Sequence, residues 1–481
     1  MSKALEKIKA AIFNVSKFFD TIYFAIALAV IELFSYFLGL DLLIIIVISL
    51  CISFAFLFKK NLNCTLILFL FLSSMISIKN SPANEAIGNN SGYYFNPGVY
   101  VTCIIFTAIP ATIITIKAVL NVIKKKIHVD SFFISTIALG IVFLTNGILS
   151  DKYNPLGTMF GGFMFFFFVI LLFAVMPYIS IHKESLKLIS KQVAIYLAVP
   201  IIEMICFYAE LLQAGVTLET RSDVFIGWGN RNTLGMLLSV MFPFLLYLIR
   251  FEENKKIRIV EICYSLVVVG AVLATTSRQA YLFLFLLFTV YLIFRLSGTT
   301  GSKRKKLSFL VTFWCLLAFC GVIVGQSIGM IDLLSLNSIN SRLYLWQDAL
   351  EAFKKDPIFG GGFFFIGGDP EIQLDNIMPY CCHNTIFELL GACGFFGLVL
   401  YLFHRFIGLK RILSDLTEEK IYPFMALAMI VLISLLDIHL FDFFGSALYT
   451  ILLAFSLSKS SDEDEKLVVV PEHEAIQEEA I

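Results

Sequence analysis

The chain has 481 residues, of which 59% are hydrophobic and only 15% charged, with 50 phenylalanines; this excludes an ordinary soluble globular domain. Lys plus Arg equals Asp plus Glu at 36 each, so the zero net charge gives no sign of a nucleic-acid partner, and what counts is the side of a membrane on which each charge lies. The ten cysteines are scattered mostly through apolar runs, which implies no disulfide framework, and there is no Walker loop, dinucleotide fingerprint or zinc signature.

Residues 1–20 form a lysine-bearing amphipathic segment that runs straight into a full-length apolar stretch, the pattern of a retained anchor rather than a cleaved signal. Apolar runs then predict an all-α polytopic membrane protein of about fourteen transmembrane helices across 21–457. The spans fall at 21–38, 42–58, 64–78, 99–120, 131–149, 159–179, 193–213, 233–249, 259–275, 279–296, 307–330, 385–403, 422–438 and 440–457. If the N-terminus is cytoplasmic, the outer basic residues are Lys79, Lys152, Arg221, Arg231, Arg278, Arg342, Lys354 and Lys355, which leaves 28 of the 36 inside. That asymmetry predicts cytoplasmic termini and a large extracytoplasmic loop, 331–384, before the third-last span. Basic clusters such as Lys124–Lys126 and Lys303–Lys306 then need no ligand beyond anionic lipid. The outer loop 79–98 is turn-rich, and the acidic tail 458–481 lacks the apolar content to fold alone.

The polar residues collect on the predicted outer side. Arg231 precedes the eighth span, Arg278 opens the tenth, Arg342 lies in the large loop, and His383 and Asn384 open the twelfth. Helices running inward turn their N–H-rich, electropositive ends outward, and Asn232, Ser277 and Asn384 suit their caps. Such ends together with arginines, whose planar forks grip phosphate bidentately, make an anion site. The plainer alternative, snorkelling or pairing with a nearby acid, fits Arg221 beside Glu219 and Asp223, whereas Arg278 has no adjacent acid.

In the loop, Leu343, Trp346, Leu350 and Phe353 recur at helical spacing opposite Gln347, Asp348, Glu351 and Lys354. They predict an amphipathic helix lying in the outer interface and ending before Asp356-Pro357, a plug over the bundle, a lid that carries Arg342, or both. Glycines at 360–362, 367 and 368 allow tight turns and lid motion, and Cys381 and Cys382 read as free thiols. His383 is either structural or a base for a sugar hydroxyl, with Glu388 placed to orient it. Elsewhere, Glu203 and Glu210 beyond Pro200 have the look of a transporter's ion site, while Asp437, His439 and Asp442 lack metal-specific spacing.

In order along the chain, GNRN at 229–232, TTSRQA at 275–280, SRLYLWQDALEAFKKDPIFGGG at 341–362 and HNTIFELLGACGFFG at 383–397 resemble the O-antigen ligase and Wzy-type polymerase superfamily over 227–403. The resemblance implies a metal-independent, cofactor-free, inverting glycosyltransferase of the bacterial cytoplasmic membrane. Its partners would be a polyprenyl-pyrophosphate-linked oligosaccharide donor, a glycan or lipid acceptor, the bilayer and other polysaccharide-assembly membrane proteins, with no nucleic acid. By position, His383, Arg278 and Arg342 would be catalytic, and Arg231, Asn232, Asn384, Glu388 and Trp346 would bind substrate. The expected activity is polymerisation of repeat units into capsular or other surface polysaccharide. The alternatives are ligation of a finished glycan to a lipid or protein, a lipid-linked sugar flippase, and a peptidoglycan polymerase of the shape, elongation and division family, in which an acid would stand in place of His383. The Arg-x10-Gly pattern of some polymerases is absent, since Arg342 is followed eleven residues later by Phe353.

Overall fold

The computed structural model describes residues 2–38, 40–73, 97–150, 153–213, 231–297, 336–363 and 382–458. The expected span 307–330, the outer loop 79–96, Arg221 with its neighbours, most of the large loop including Gly367, Gly368 and Cys381, and the acidic tail lie outside those residues. The described part is helical, without a β-strand. Its helices are α1 (Ser2–Phe19), α2 (Ile22–Leu38), α3 (Asp41–Phe58), α4 (Thr65–Ser73), α5 (Pro97–Ile123), α6 (Ser131–Thr145), α7 (Pro155–Tyr178, with a π-helical turn at Phe166–Leu171) and α8 (Lys183–Gln213). Then follow α9 (Arg231–Phe251), α10 (Lys255–Ala274), α11 (Arg278–Ser297), α12 (Leu336–Lys355), α13 (Thr385–Ser414), α14 (Ile421–Ile433) and α15 (Phe443–Leu457).

By length and composition, six of these helices (α5, α7, α8, α9, α10 and α13) can each cross a membrane, and the bent pair α1–α2 raises the number to seven. Others that coincide with predicted spans, such as α3, α6 and α14, are shorter apolar helices. The protein is therefore an all-α membrane protein. The expected thirteenth span also stops early: α14 ends at Ile433 and α15 starts at Phe443, with 434–442 connecting them through a short 3-10 helix at His439–Phe441.

Helix α9 is the hub. Every residue from Leu234 to Leu248 is buried, including Pro243, because α8, α10, α11 and α14 pack around it. A helix apolar all round needs such enclosure, whereas α10 leaves Ile257, Ile259, Val260, Leu266 and Val267 exposed, as suits a face toward lipid.

Helix α13 is broken at Gly394, where φ is 65°. The turn after α12 inserts into the break: Gly361 N–H donates to Gly391 O (2.8 Å), Gly362 N–H to Ala392 O (3.0 Å), and Phe395 N–H to Pro357 O (2.9 Å). Asn146 binds both sides, donating through Nδ2 to Ala392 O (2.8 Å) and accepting at Oδ1 from Phe363 N–H (2.6 Å). A Cβ on Gly360 would lie 2.6 Å from Ala392 O, and one on Gly394 would lie 2.4 Å from Ile358 O, so glycine is required at both for close backbone approach. The expected lid hinge at 360–362 is thus a fastened wedge, its polar backbone satisfied by the helix it splits.

Candidate functional site

The starts of α9, α11 and α13 gather at one end of the bundle, beside the α14–α15 turn. Asn384 caps α13, its Oδ1 accepting from the amides of Ile386 (2.8 Å) and Phe387 (3.2 Å) while its Nδ2 donates to Leu435 O (2.8 Å). Thr385 donates to Ser434 O through both its amide (3.0 Å) and its hydroxyl (2.7 Å). These bonds fasten the beginning of α13 to the end of α14. His383, just outside the cap, has φ 48°, a conformation uncommon for a side-chain-bearing residue, and its Nδ1 lies 2.8 Å from Asp437 Oδ1.

Asp437 is the centre of the cluster. Besides His383, its Oδ1 accepts from its neighbour's amide, Ile438 N–H (2.9 Å). Its Oδ2 accepts from Asn232 Nδ2 (3.2 Å) on α9 and Gln279 Nε2 (3.1 Å) on α11, with His439 Nε2 at 3.7 Å. Ser277 Oγ donates to Asn232 Oδ1 (3.1 Å), and His439 Nδ1 faces Asp442 Oδ2 (3.2 Å). Burial pushes the Asp437 carboxyl up, but the His439 charge, with the hydrogen bond and charge of His383, outweighs it and holds the group well below the usual carboxylate range. Burial likewise pushes His439 down, and Asp437 and Asp442 together reverse this, so the imidazole is raised. The result is a four-way-bonded carboxylate with a buried imidazole behind it.

His383 faces outward from this support, its side chain 40% exposed against 7% for Asp437. When Nδ1 donates to this carboxylate, the neutral form of the ring keeps its lone pair on Nε2.

Three arginines lie on helices that build the cluster or pack on it. Arg231 and Arg278 are the first residues of α9 and α11, and Arg342 lies in α12; all three are partly buried. Among the described residues none of the three takes part in an ion pair. Arg278 directly precedes Gln279, which holds Asp437, and the charge of Arg231 reaches the Tyr281 hydroxyl on α11, so the two helix starts are neighbours.

Helix α12 packs on α13 through Leu345, Trp346 and Ala349. Trp346 stacks on Phe387 at 4.8 Å and donates from Nε1 to Cys382 O (2.9 Å), one residue before His383. Arg342 stands one turn before Trp346 on the same helical stripe. Of the predicted apolar stripe, Trp346 packs on α13 while Leu343 and Leu350 are exposed, and Ala349 is fully buried. Glu388 accepts from Cys382 N–H (2.9 Å), so the carboxylate bonded to the imidazole is that of Asp437.

Sequence reasoning did not join Asp437 or Gln279 to this site. Gln279 was visible as a polar residue directly after Arg278, and Asp437 as an acid at the end of an apolar run. Glu203, by contrast, is buried in α8 near Tyr36 of α2, away from the cluster. Among the described residues, no group of three or more His, Cys, Asp or Glu is arranged to hold a metal ion.

No curated protein matches the chain. The family model described as O-antigen ligase matches residues 263–402, a stretch that contains Arg278, Arg342, Trp346, His383, Asn384 and Glu388 and leaves Arg231, Asn232 and Asp437 outside it. Over this region, which carries two of the arginines and the histidine, the chain is similar to the O-antigen ligase family.

Proposed function

We propose that this chain is a glycosyltransferase of the bacterial cytoplasmic membrane, working on its extracytoplasmic face without metal and with inversion at the sugar. It polymerises polyprenyl-pyrophosphate-linked oligosaccharide repeat units into capsular or other surface polysaccharide. The observation that carries the reading is the outward-facing His383, braced by Asp437, next to three arginines with no acid partner among the described residues.

In this reading His383 Nε2 accepts the proton of the acceptor hydroxyl as its oxygen attacks the anomeric carbon of the donor. The bond from that carbon to the pyrophosphate oxygen breaks, and the electron pair leaves with the pyrophosphate. Arg278 and Arg342, assisted by Arg231 and the adjacent helix starts, meet the charge that develops there, and a single displacement inverts the anomeric carbon. Asn232 and Gln279 keep Asp437 fixed so that it orients the imidazole and stabilises its cationic form. Trp346 positions the backbone at Cys382, directly before His383.

The matched family's description favours a second reading, in which the same site transfers a finished glycan to a lipid acceptor. The chemistry is the same and only the acceptor hydroxyl differs. The deciding experiment gives the purified protein a lipid-linked repeat unit, with and without a candidate lipid acceptor. A ladder of growing oligosaccharide from the repeat unit alone supports polymerisation, and transfer only when the lipid acceptor is present supports ligation. Retention of full activity by His383→Ala and Arg278→Ala, at unchanged protein level, would falsify both.

A further inference from the structure

At the opposite end of the bundle, α1 meets α2 at 80° rather than continuing it. The corner is held tightly. Lys59, at the end of α3, donates from Nζ to Asp20 (2.7 Å) and to Ser16 O (3.0 Å), and Gln192 of α8 donates to Thr21 O (2.8 Å) and Phe19 O (3.3 Å). Phe19 is buried, stacking on Phe24 at 4.3 Å and Phe54 at 5.5 Å.

That anchor sets the roll of the helix about its axis. Ile8, Ile12, Val15 and Phe19 follow one another at spacings of four, three and four, so they share one face. The face that carries Phe19 into the bundle therefore turns Ile8, Ile12 and Val15 in the same direction further out along α1, where Ile8 is 55% and Val15 44% exposed. Lys7, Lys9 and Lys17 flank or oppose this face, the last lying over the Phe13 ring at 4.4 Å. The same end of the bundle carries other cations, Arg250 and Arg295 with Glu418, and Arg411 with Asp130.

We propose that α1 is an interfacial foot that seats its Ile8–Ile12–Val15 face in the headgroup layer of the adjoining membrane leaflet, with Lys7, Lys9 and Lys17 selecting anionic phospholipid. A helix perpendicular to its neighbouring span, apolar toward the bilayer and basic at the flanks, has the geometry of a surface-bound amphipathic helix. Attraction of lysines near an anionic surface is on the order of fivefold per residue, and the single acid of α1, Glu6, offsets part of it. The contacts that α1 makes with protein lie at its C-terminal corner, which leaves the rest of the apolar face for lipid.

Amide hydrogen exchange on the full chain in nanodiscs tests this, with discs of phosphatidylcholine alone compared with discs in which phosphatidylglycerol replaces a third of it. The expected result is exchange across residues 6–17 about tenfold slower in the anionic discs, an increment that K7Q/K9Q/K17Q removes. I8N/I12N, which leaves the Phe19 corner intact, is expected to raise exchange in anionic discs about tenfold. Equal exchange of the wild-type chain in the two lipids overturns the lipid selection, and protection of I8N/I12N equal to wild type overturns the seating. Exchange at the Phe24–Ala29 stretch of α2 serves as the control for folding, since it is set by the bundle.

Discussion

The imidazole Nδ1 of His383 lies 2.8 Å from the carboxylate of Asp437, across 54 positions of sequence. One residue directly precedes the cap of α13 and the other follows α14, and the side-chain bonds of Asn384 and Thr385 to the Leu435 and Ser434 carbonyls hold the two together. The pair gives the proposed base a defined tautomer and a rigid direction. Its removal has a predictable cost.

Asp437→Asn keeps the size of the side chain and the contacts with Asn232 and Gln279 but removes the charge that favours Nδ1–H. Turnover with a lipid-linked donor is expected to fall by about 10²–10⁴-fold, with KM for the donor little changed. Steady-state kinetics on the purified variant check this; a loss confined to KM would mean that Asp437 serves donor binding instead.

The arginines are expected to respond differently. Arg278→Lys and Arg342→Lys retain a positive charge but lose the planar fork, so kcat/KM is expected to drop about tenfold to a hundredfold in each, and further in the alanine variants. Wild-type kinetics in both lysine variants would show that charge alone suffices and that bidentate contact is absent.

The buried pair Asp437–His439 sets a pH window for stability. Asp437 has its carboxyl lowered on folding, so its contribution is present above the unfolded value of about 3.9 and is lost as pH falls through the folded one. His439 is raised, so its contribution is complete below about 6.5 and is lost as pH rises through its folded value. The pair therefore stabilises most between about pH 4 and 6.5. Melting temperature against pH, compared with that of His439→Asn, reads this directly: the variant's curve is expected to lose the fall on the alkaline side, and two parallel curves would rule the pair out as its source.

Gly360→Ala and Gly394→Ala each place a Cβ inside 2.7 Å of backbone atoms, at positions with positive φ. Because neither the wedge nor the broken helix can yield without giving up its cross-bonds, each substitution is expected to cost about 2–4 kcal/mol. Thermal unfolding in detergent measures it. Gly162→Ala, where a Cβ meets nothing within 4 Å, is the matched control and is expected to change stability little.

Trp346→Phe preserves the stack on Phe387 but removes the donor to Cys382 O. The expected outcome is a loss of about 1 kcal/mol in stability, with a greater effect on turnover, because the released carbonyl belongs to the segment that carries His383. An unchanged kcat would restrict Trp346 to a packing role.

The membrane class was legible from the sequence because helix formation and burial in lipid are local properties: a run such as Thr233–Ile249 is apolar whatever surrounds it. So were the cap at Asn384 and the arginines at helix starts, since a cap and a helix dipole depend on residues within one turn. The amphipathic helix of the large loop was also legible as a helix, but which of its residues pack on α13 was not. A periodic pattern shows that a face is apolar, and cannot distinguish lipid from protein as what covers it, which is why Leu343 and Leu350 are exposed while Ala349 is buried. The glycines at 360–362 read as freedom in the sequence and act as close approach in the fold, because their partners, Gly391 to Gly394, lie thirty residues on in another helix. The union of His383, Asp437, Asn232 and Gln279 was decided by tertiary structure alone: the four residues lie far apart in the chain, and only the packing of α9, α11, α13 and α14 brings them within hydrogen-bond distance.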